Sequence, residues 1–258
     1  MVGVSATDFE PIRPRARLGF IIPSSNRMAE PQFQLYAPDG VVPHFARLRM
    51  TGRHAAPLEA LMPRIAQAAE TLADAKCDAI VLQCTGTSMS GGVESEQGII
   101  RAMEAATGRP ALTAASSLMA AFEALDANRL VFVSETTRPG HEAKLAYLAE
   151  AGLDIIADRA ACLEDSDEYC ITPPQFWFEF VRAMRNDRAD AYFISCANIH
   201  SIDVIAALEA ELGRPVVTSN QAALWCALRT AGIADAIPGL GRLLQMDLAR
   251  IPAQETAS

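Results

Sequence analysis

Two cysteines carry the clearest chemical signal in this 258-residue chain. Cys84 closes the run Asp78-Ala-Ile-Val-Leu-Gln-Cys84, and Cys196 closes Asp190-Ala-Tyr-Phe-Ile-Ser-Cys196. Each run reads as a buried strand, so each thiol falls at a strand's carboxyl end, the edge of an open α/β sheet where ligands bind. Small polar residues follow: Thr85-Gly86-Thr87-Ser88-Met89-Ser90-Gly91-Gly92 after the first, and Ala197-Asn198-Ile199-His200-Ser201 after the second. Free N–H groups at the start of a following helix attract anions and lower a thiol's pKa. With the Thr and Ser hydroxyls they can also cradle a carboxylate. Two thiols flanking one carbon can take a proton from one face and deliver one to the other, or act as nucleophile and acid. A free cysteine otherwise packs as a small hydrophobe, and that reading is kept for Cys77, Cys162, Cys170 and Cys226.

The elements that must position these thiols alternate along the chain. Strands are expected at 17–22, 44–49, 79–83, 110–113, 129–133, 154–158, 190–194 and 215–218. Helices are expected near 58–75, 93–106, 116–125, 140–151, 173–186, 202–212 and 220–231. Alternation of this kind, with nearly continuous apolar strands, implies parallel sheets covered on both faces. An internal repeat sharpens the picture. Arg17-Leu-Gly-Phe-Ile-Ile22 resembles Arg129-Leu-Val-Phe-Val-Ser134, and the two cysteine-ended strands match at the same offset of 112 residues. Gly108-Arg-Pro-Ala-Leu-Thr113 resembles Gly213-Arg-Pro-Val-Val-Thr218 at an offset of 105. The expected fold is therefore α/β with two pseudo-symmetric lobes, each a mainly parallel sheet flanked by helices. Residues 1–114 plus 219–258 form the lobe carrying Cys84, and residues 115–218 the lobe carrying Cys196. The first 16 and last seven residues read as loose ends. The loops Pro23-Ser24-Ser25-Asn26 and Glu135-Thr136-Thr137-Arg138 follow matched strands and should open on the same cleft.

Composition narrows the function. With 22 Lys+Arg against 31 Asp+Glu the net charge is −9, which argues against a nucleic-acid partner. Six cysteines without a CxxC pair are too few for a disulfide scaffold. The chain shows neither a secretory start nor an uncharged apolar run of about 18 residues. The expectations are a cytoplasmic protein with reduced thiols and no membrane partner. His44, His54, His141 and His200 show no zinc spacing, so no metal is expected. Gly239-Leu-Gly241 lacks the strand and third glycine of a dinucleotide site, and there is no GxSxG elbow or phosphate loop. His200, four residues past Cys196, either lines the cleft or is solvated. Phe176-Trp177-Phe178-Phe180 and Val181 read as core or a subunit contact, and Glu164-Asp-Ser-Asp-Glu168 as a solvated loop at or near the cleft.

Taken together, Pro23-Ser-Ser-Asn26 with Glu30-Pro31, the Cys84–Gly92 loop, Cys196 and Gly239-Leu-Gly-Arg-Leu243 resemble the maleate cis–trans isomerase and arylmalonate decarboxylase group of the aspartate/glutamate racemase superfamily. The resemblance covers about residues 16–244. It implies two pseudo-symmetric α/β lobes, no cofactor or metal, a small carboxylate or dicarboxylate substrate between the lobes, and a homodimer. It implies Cys84 as nucleophile, Cys196 as acid and base, and Asn26 as a carboxylate ligand. Ser25, Thr85, Gly86, Thr87, Thr136, Ala197 and Asn198 complete the expected binding set. The decarboxylase has glycine where this chain has Cys84 and works with the second cysteine alone. The isomerases' usual tyrosine after the 129–133 strand matches Thr136, and an asparagine is replaced by Ser166. Three readings follow: an isomerase or racemase using both cysteines, a decarboxylase using Cys196 alone, and a catalytically silent metabolite-binding or ectoine-utilisation-like protein.

Overall fold

The computed structural model describes residues 13–50 and 57–247. The first half runs β1 (Ala16–Pro23), α1 (Ala29–Tyr36), β2 (Val41–Leu48), α2 (Leu58–Asp74), β3 (Ala79–Leu82), α3 (Thr85–Met89), α4 (Gly92–Thr107), β4 (Ala111–Thr113) and α5 (Ala114–Ala124). The second runs β5 (Arg129–Ser134), α6 (Arg138–Glu150), β6 (Asp154–Ala160), α7 (Ser166–Ile171), α8 (Pro174–Arg182), β7 (Ala191–Ile194), α9 (Ile205–Leu212), β8 (Val216–Thr218) and α10 (Ser219–Thr230). The two sheets have strand orders β2-β1-β3-β4 and β6-β5-β7-β8, with every pairing parallel. One topology is thus built twice, as the repeat implies. In each sheet the order reverses between the first and third strands. Ligands in open α/β sheets bind at the carboxyl side of such a switch point. Pro23–Asn26 and Cys84 flank the first switch point; Glu135 and Cys196 flank the second.

The strands form here because their apolar residues serve two cores at once. Leu18, Phe20 and Ile22 of β1 join the large core that runs through both lobes. Ile21 points the other way, with Ile80 and Leu82, onto Leu61, Ile65, Ala69 and Leu72 of α2. Helices α5 and α10 pack on each other, and both start with a Thr capping box, at Thr113 and Thr218. Paired orphan N–H groups at the first turn fix where each helix leaves its strand.

The repeat also recurs in hydrogen bonds. The Asp78 carboxylate accepts the Arg17 N–H at 2.8 Å, and the Asp190 carboxylate accepts the Arg129 N–H at 2.7 Å. Asp190 also takes the Arg129 guanidinium at 2.7 Å, and these bonds pull its pKa down to about 2. A carboxyl depressed in the folded state stabilises above its unfolded pKa of about 3.9 and loses that contribution as pH falls through the folded value. Asp190→Asn should therefore be less stable than the parent at pH 6, with the difference shrinking between about pH 4 and pH 2. Urea unfolding across that range measures it.

Three helices were not expected from the sequence. α1 carries Pro31 and two glutamines. α3 is Thr-Gly-Thr-Ser-Met without an apolar period. α7 grows from the acidic run, where the Asp165 carboxylate accepts the Asp167 and Glu168 N–H groups. The expected helix 173–186 stops at Arg182. Cys77 and Cys226 are buried, but Cys162 is exposed at φ +57 and Cys170 is half-buried, so the packing expectation fails for these two. Cys162 lies in the loop after β6 and Cys170 in the short helix α7, and neither belongs to the buried core. Of the segment read as a loose start, β1 already begins at Ala16, and the Arg15 guanidinium bonds Asp235 at 2.6 Å. Residues 1–12 and 252–258, and His54, lie outside the described residues.

Candidate active site

The loops after β1, β3, β5 and β7 enclose a cavity of about 200 Å³. That is below the roughly 300–1,000 Å³ of sites for drug-sized ligands, so it suits a molecule of few heavy atoms. Cys84 and Cys196 both line it, one from each lobe. So do Asn26, Thr85, Gly86, Thr87, Thr136, Ala197 and Asn198. Ser25 is not among the lining residues; its hydroxyl bonds the Met50 carbonyl and lies 3.0 Å from the Ser166 hydroxyl. His200 is also outside, held between Asp203 and the Cys170 carbonyl.

Cys84 is the residue before α3, and its Sγ lies 3.1 Å from the Thr87 hydroxyl. A Cβ on Gly86 would meet nothing within 4 Å, so the missing side chain there leaves space in the cavity. Cys196 sits at φ +112, a conformation that costs a non-glycine residue about 1–3 kcal/mol and tends to persist at functional sites. Its N–H donates to the Ser219 hydroxyl at 3.1 Å, and its Sγ accepts the Asn198 N–H at 3.2 Å. The Ser219 hydroxyl also accepts the Thr85 hydroxyl at 2.9 Å. Ser219 thereby ties the two cysteine loops to one point at the start of α10.

Much of the expected binding set is also structural. The Asn26 side-chain oxygen accepts the Met28 and Ala29 N–H groups, while its amide donates to the Ala197 carbonyl at 3.0 Å. The Asn198 side chain accepts the Arg27 N–H and donates to the Ser166 carbonyl. Asn220 adds a buried link, donating to Gln32 and the Ala197 carbonyl while accepting from Gln83. These amides fasten the two lobes across the cavity floor, and Asn26 keeps one amide hydrogen for a ligand.

Burial pushes both thiols up. For Cys84 the bonds from the Thr87 hydroxyl and N–H oppose the shift, and Lys144 does so next. Cys196 goes well above a free thiol, by burial and then by the nearby Glu135 carboxylate. The expectation that turn N–H groups lower the thiol pKa is not met, because removing a thiolate from water outweighs one or two hydrogen bonds. The two environments still differ, and such a difference separates acid and nucleophile roles.

Three ionisable lining residues, Glu135, Lys144 and Tyr169, lie outside the expected site set. Glu135 and Lys144 form a buried ion pair, Nζ to the carboxylate at 2.8 and 2.9 Å. Tyr169, from α7, lines the cavity together with Thr136. A tyrosine thus reaches the cavity from α7 although position 136 carries threonine. Gly140 of α6 permits this packing, since a Cβ there would fall 2.7 Å from the Thr136 hydroxyl. Among the described residues no group of three or more His, Cys, Asp or Glu is placed to hold a metal. No described helix is long and apolar enough to cross a membrane.

A family model described as arylmalonate decarboxylase matches residues 18–244. The chain belongs to that family. Within the arylmalonate decarboxylase family its similarity reaches two activities. A maleate isomerase of Nocardia farcinica is 30% identical over 243 residues, covering 90% of this chain and 97% of that one. An arylmalonate decarboxylase of Bordetella bronchiseptica is 31% identical over 173 residues, covering 65% and 72%. A solved Nocardia farcinica maleate cis–trans isomerase, a cysteine-to-serine variant with a covalently bound succinylcysteine intermediate, aligns with a TM-score of 0.83 at 27% identity. That alignment covers 89% of this chain and 98% of the other.

Proposed function

We propose that the protein is a cofactor-independent isomerase of a small unsaturated carboxylate such as maleate, with Cys84 as nucleophile and Cys196 as acid and base. The observation that carries this reading is the pair of thiols lining one small cavity from opposite lobes. A cysteine-linked intermediate in a similar maleate isomerase supports it. Cys84 as thiolate adds to one alkene carbon; the C–S bond forms and the π electrons move toward the far carboxylate. The Cys196 proton goes to the neighbouring carbon, which leaves a carbon–carbon single bond free to rotate. The Cys196 thiolate then removes a proton from that carbon, the double bond re-forms, and Cys84 departs as thiolate. The N–H and hydroxyl groups of Thr85, Gly86, Thr87, Thr136, Ala197 and Asn198, with Asn26, hold the carboxylates and the enediolate that develops.

The lobes of this reading are 1–114 plus 219–258 and 115–218, supported by α10 packing back onto β3. The six unpaired cysteines support a reducing, cytoplasmic setting. A homodimer is carried by the family resemblance alone. Decarboxylation through Cys196 is the second reading, favoured by the Bordetella relative. Exchange of an α-proton between the same two thiols is the racemase form.

Proton NMR of a panel of maleate, α-amino acids, hydantoins and arylmalonates tests the proposal. Maleate should convert to fumarate without added cofactor. Because burial raises the Cys84 thiol, kcat/KM should climb with pH through neutrality. It should fall again only where Cys196, raised further, loses its proton. Consumption of arylmalonate with maleate untouched would select the decarboxylase. Turnover of nothing in the panel would overturn the isomerase.

A further inference from the structure

The ion pair in the cavity is out of place as a stabilising device. Glu135 and Lys144 are each at least nine-tenths buried. Taking two charges out of water costs about as much as their attraction returns, so an apolar pair of the same size would hold the fold as well. The pair is also one-sided. The repeat offset of 112 sets Glu135 opposite Pro23 and Lys144 opposite Gln32, so charges stand in the lobe of Cys196 and nothing matches them in the other. Both charged residues line the same cavity as the two thiols.

We propose that Glu135 and Lys144 are positioning residues that assign the two thiols their different roles. Glu135 accepts the S–H of Cys196 and keeps that thiol the proton donor. Lys144 holds the Glu135 carboxylate in place through the ion pair and supplies the positive charge that favours a thiolate at Cys84. The inference rests on the two-thiol reading but is measurable without substrate. The titratable groups around Cys196 are Glu135 after β5, Lys144 on α6, Tyr169 on α7 and Cys84 before α3. Tyr169 is itself pushed up by burial and by Glu135, so it stays neutral where the thiols are read.

The two charges weigh differently on the two thiols. For Cys196, Glu135 outweighs Lys144; for Cys84, Lys144 outweighs Glu135. Removing both charges in the double variant E135Q/K144M should therefore move the thiols apart from their parent values in opposite senses. Isotope-coded iodoacetamide labelling of the full-length protein from about pH 6 to about pH 11, a range that spans the free thiol, gives each cysteine its own midpoint when read peptide by peptide. The Cys196 midpoint should fall by at least about one unit, a tenfold gain in thiolate below the midpoint, while that of Cys84 holds or rises. If the double variant does not fold, E135Q alone leaves Lys144 as the only nearby charge, and the Cys196 midpoint should fall further still. A Cys196 midpoint that does not move in either variant, or both midpoints falling together in the double variant as a loosened cavity would produce, overturns the proposal. These outcomes do not depend on turnover, so they stand apart from any failure of the isomerase reading.

Discussion

Cys84→Ser is expected to lower kcat on maleate by at least about 10³-fold, because a serine hydroxyl at neutral pH does not replace a thiolate as the adding group. The change removes one polarisable atom and little else. Serine can keep the 3.1 Å partner that the thiol has in Thr87, and the cavity wall retains its shape. KM should therefore move much less than kcat, since the carboxylate-holding groups are untouched. Steady-state kinetics with circular dichroism as a fold control separates this from general damage. Arylmalonate decarboxylation running through Cys196 alone would instead survive the change, so the same variant divides the two activities represented among the relatives.

Cys196→Ser is the second large effect, about 10²–10⁴-fold in kcat, the range of losing a placed general acid. Its character should differ from that of Cys84→Ser. The nucleophile remains, so addition can still occur slowly with serine or water as proton source. The return step, in which a thiolate on the opposite face removes the proton again, is lost. Covalent material should accumulate on Cys84, and the pH dependence of kcat/KM should lose its alkaline fall, because the group responsible for it is gone.

The sheets were legible in the sequence because buried parallel strands are written as short apolar runs. All eight predicted strands occur within a few residues of their expected bounds. The cysteines were legible because the repeat puts both at the same place in two identical topologies. Glu135, Lys144 and Tyr169 were not. Glu135 reads as part of a polar turn, and Lys144 lies nine positions on, inside a helix whose weak periodicity marks no buried face. Only folding α6 against the β5 loop makes them partners. Tyr169 did leave a trace, because Asp165 followed three residues later by Glu168 is the pattern of a helix start. Read that way, the acidic run becomes α7 and its tyrosine a candidate for the cavity. The raised thiols were also beyond the sequence, since burial that complete depends on how closely the two lobes meet.

The central claim is that Cys84 forms a bond to substrate while Cys196 moves the proton. Intact-mass and peptide mass spectrometry of the Cys196→Ser protein after incubation with maleate tests it most directly. The account predicts a mass increase of one substrate molecule, located on the peptide carrying Cys84 and absent when Cys84 is also serine. No adduct under conditions where the parent enzyme turns over, or an adduct located on any other cysteine, would contradict it.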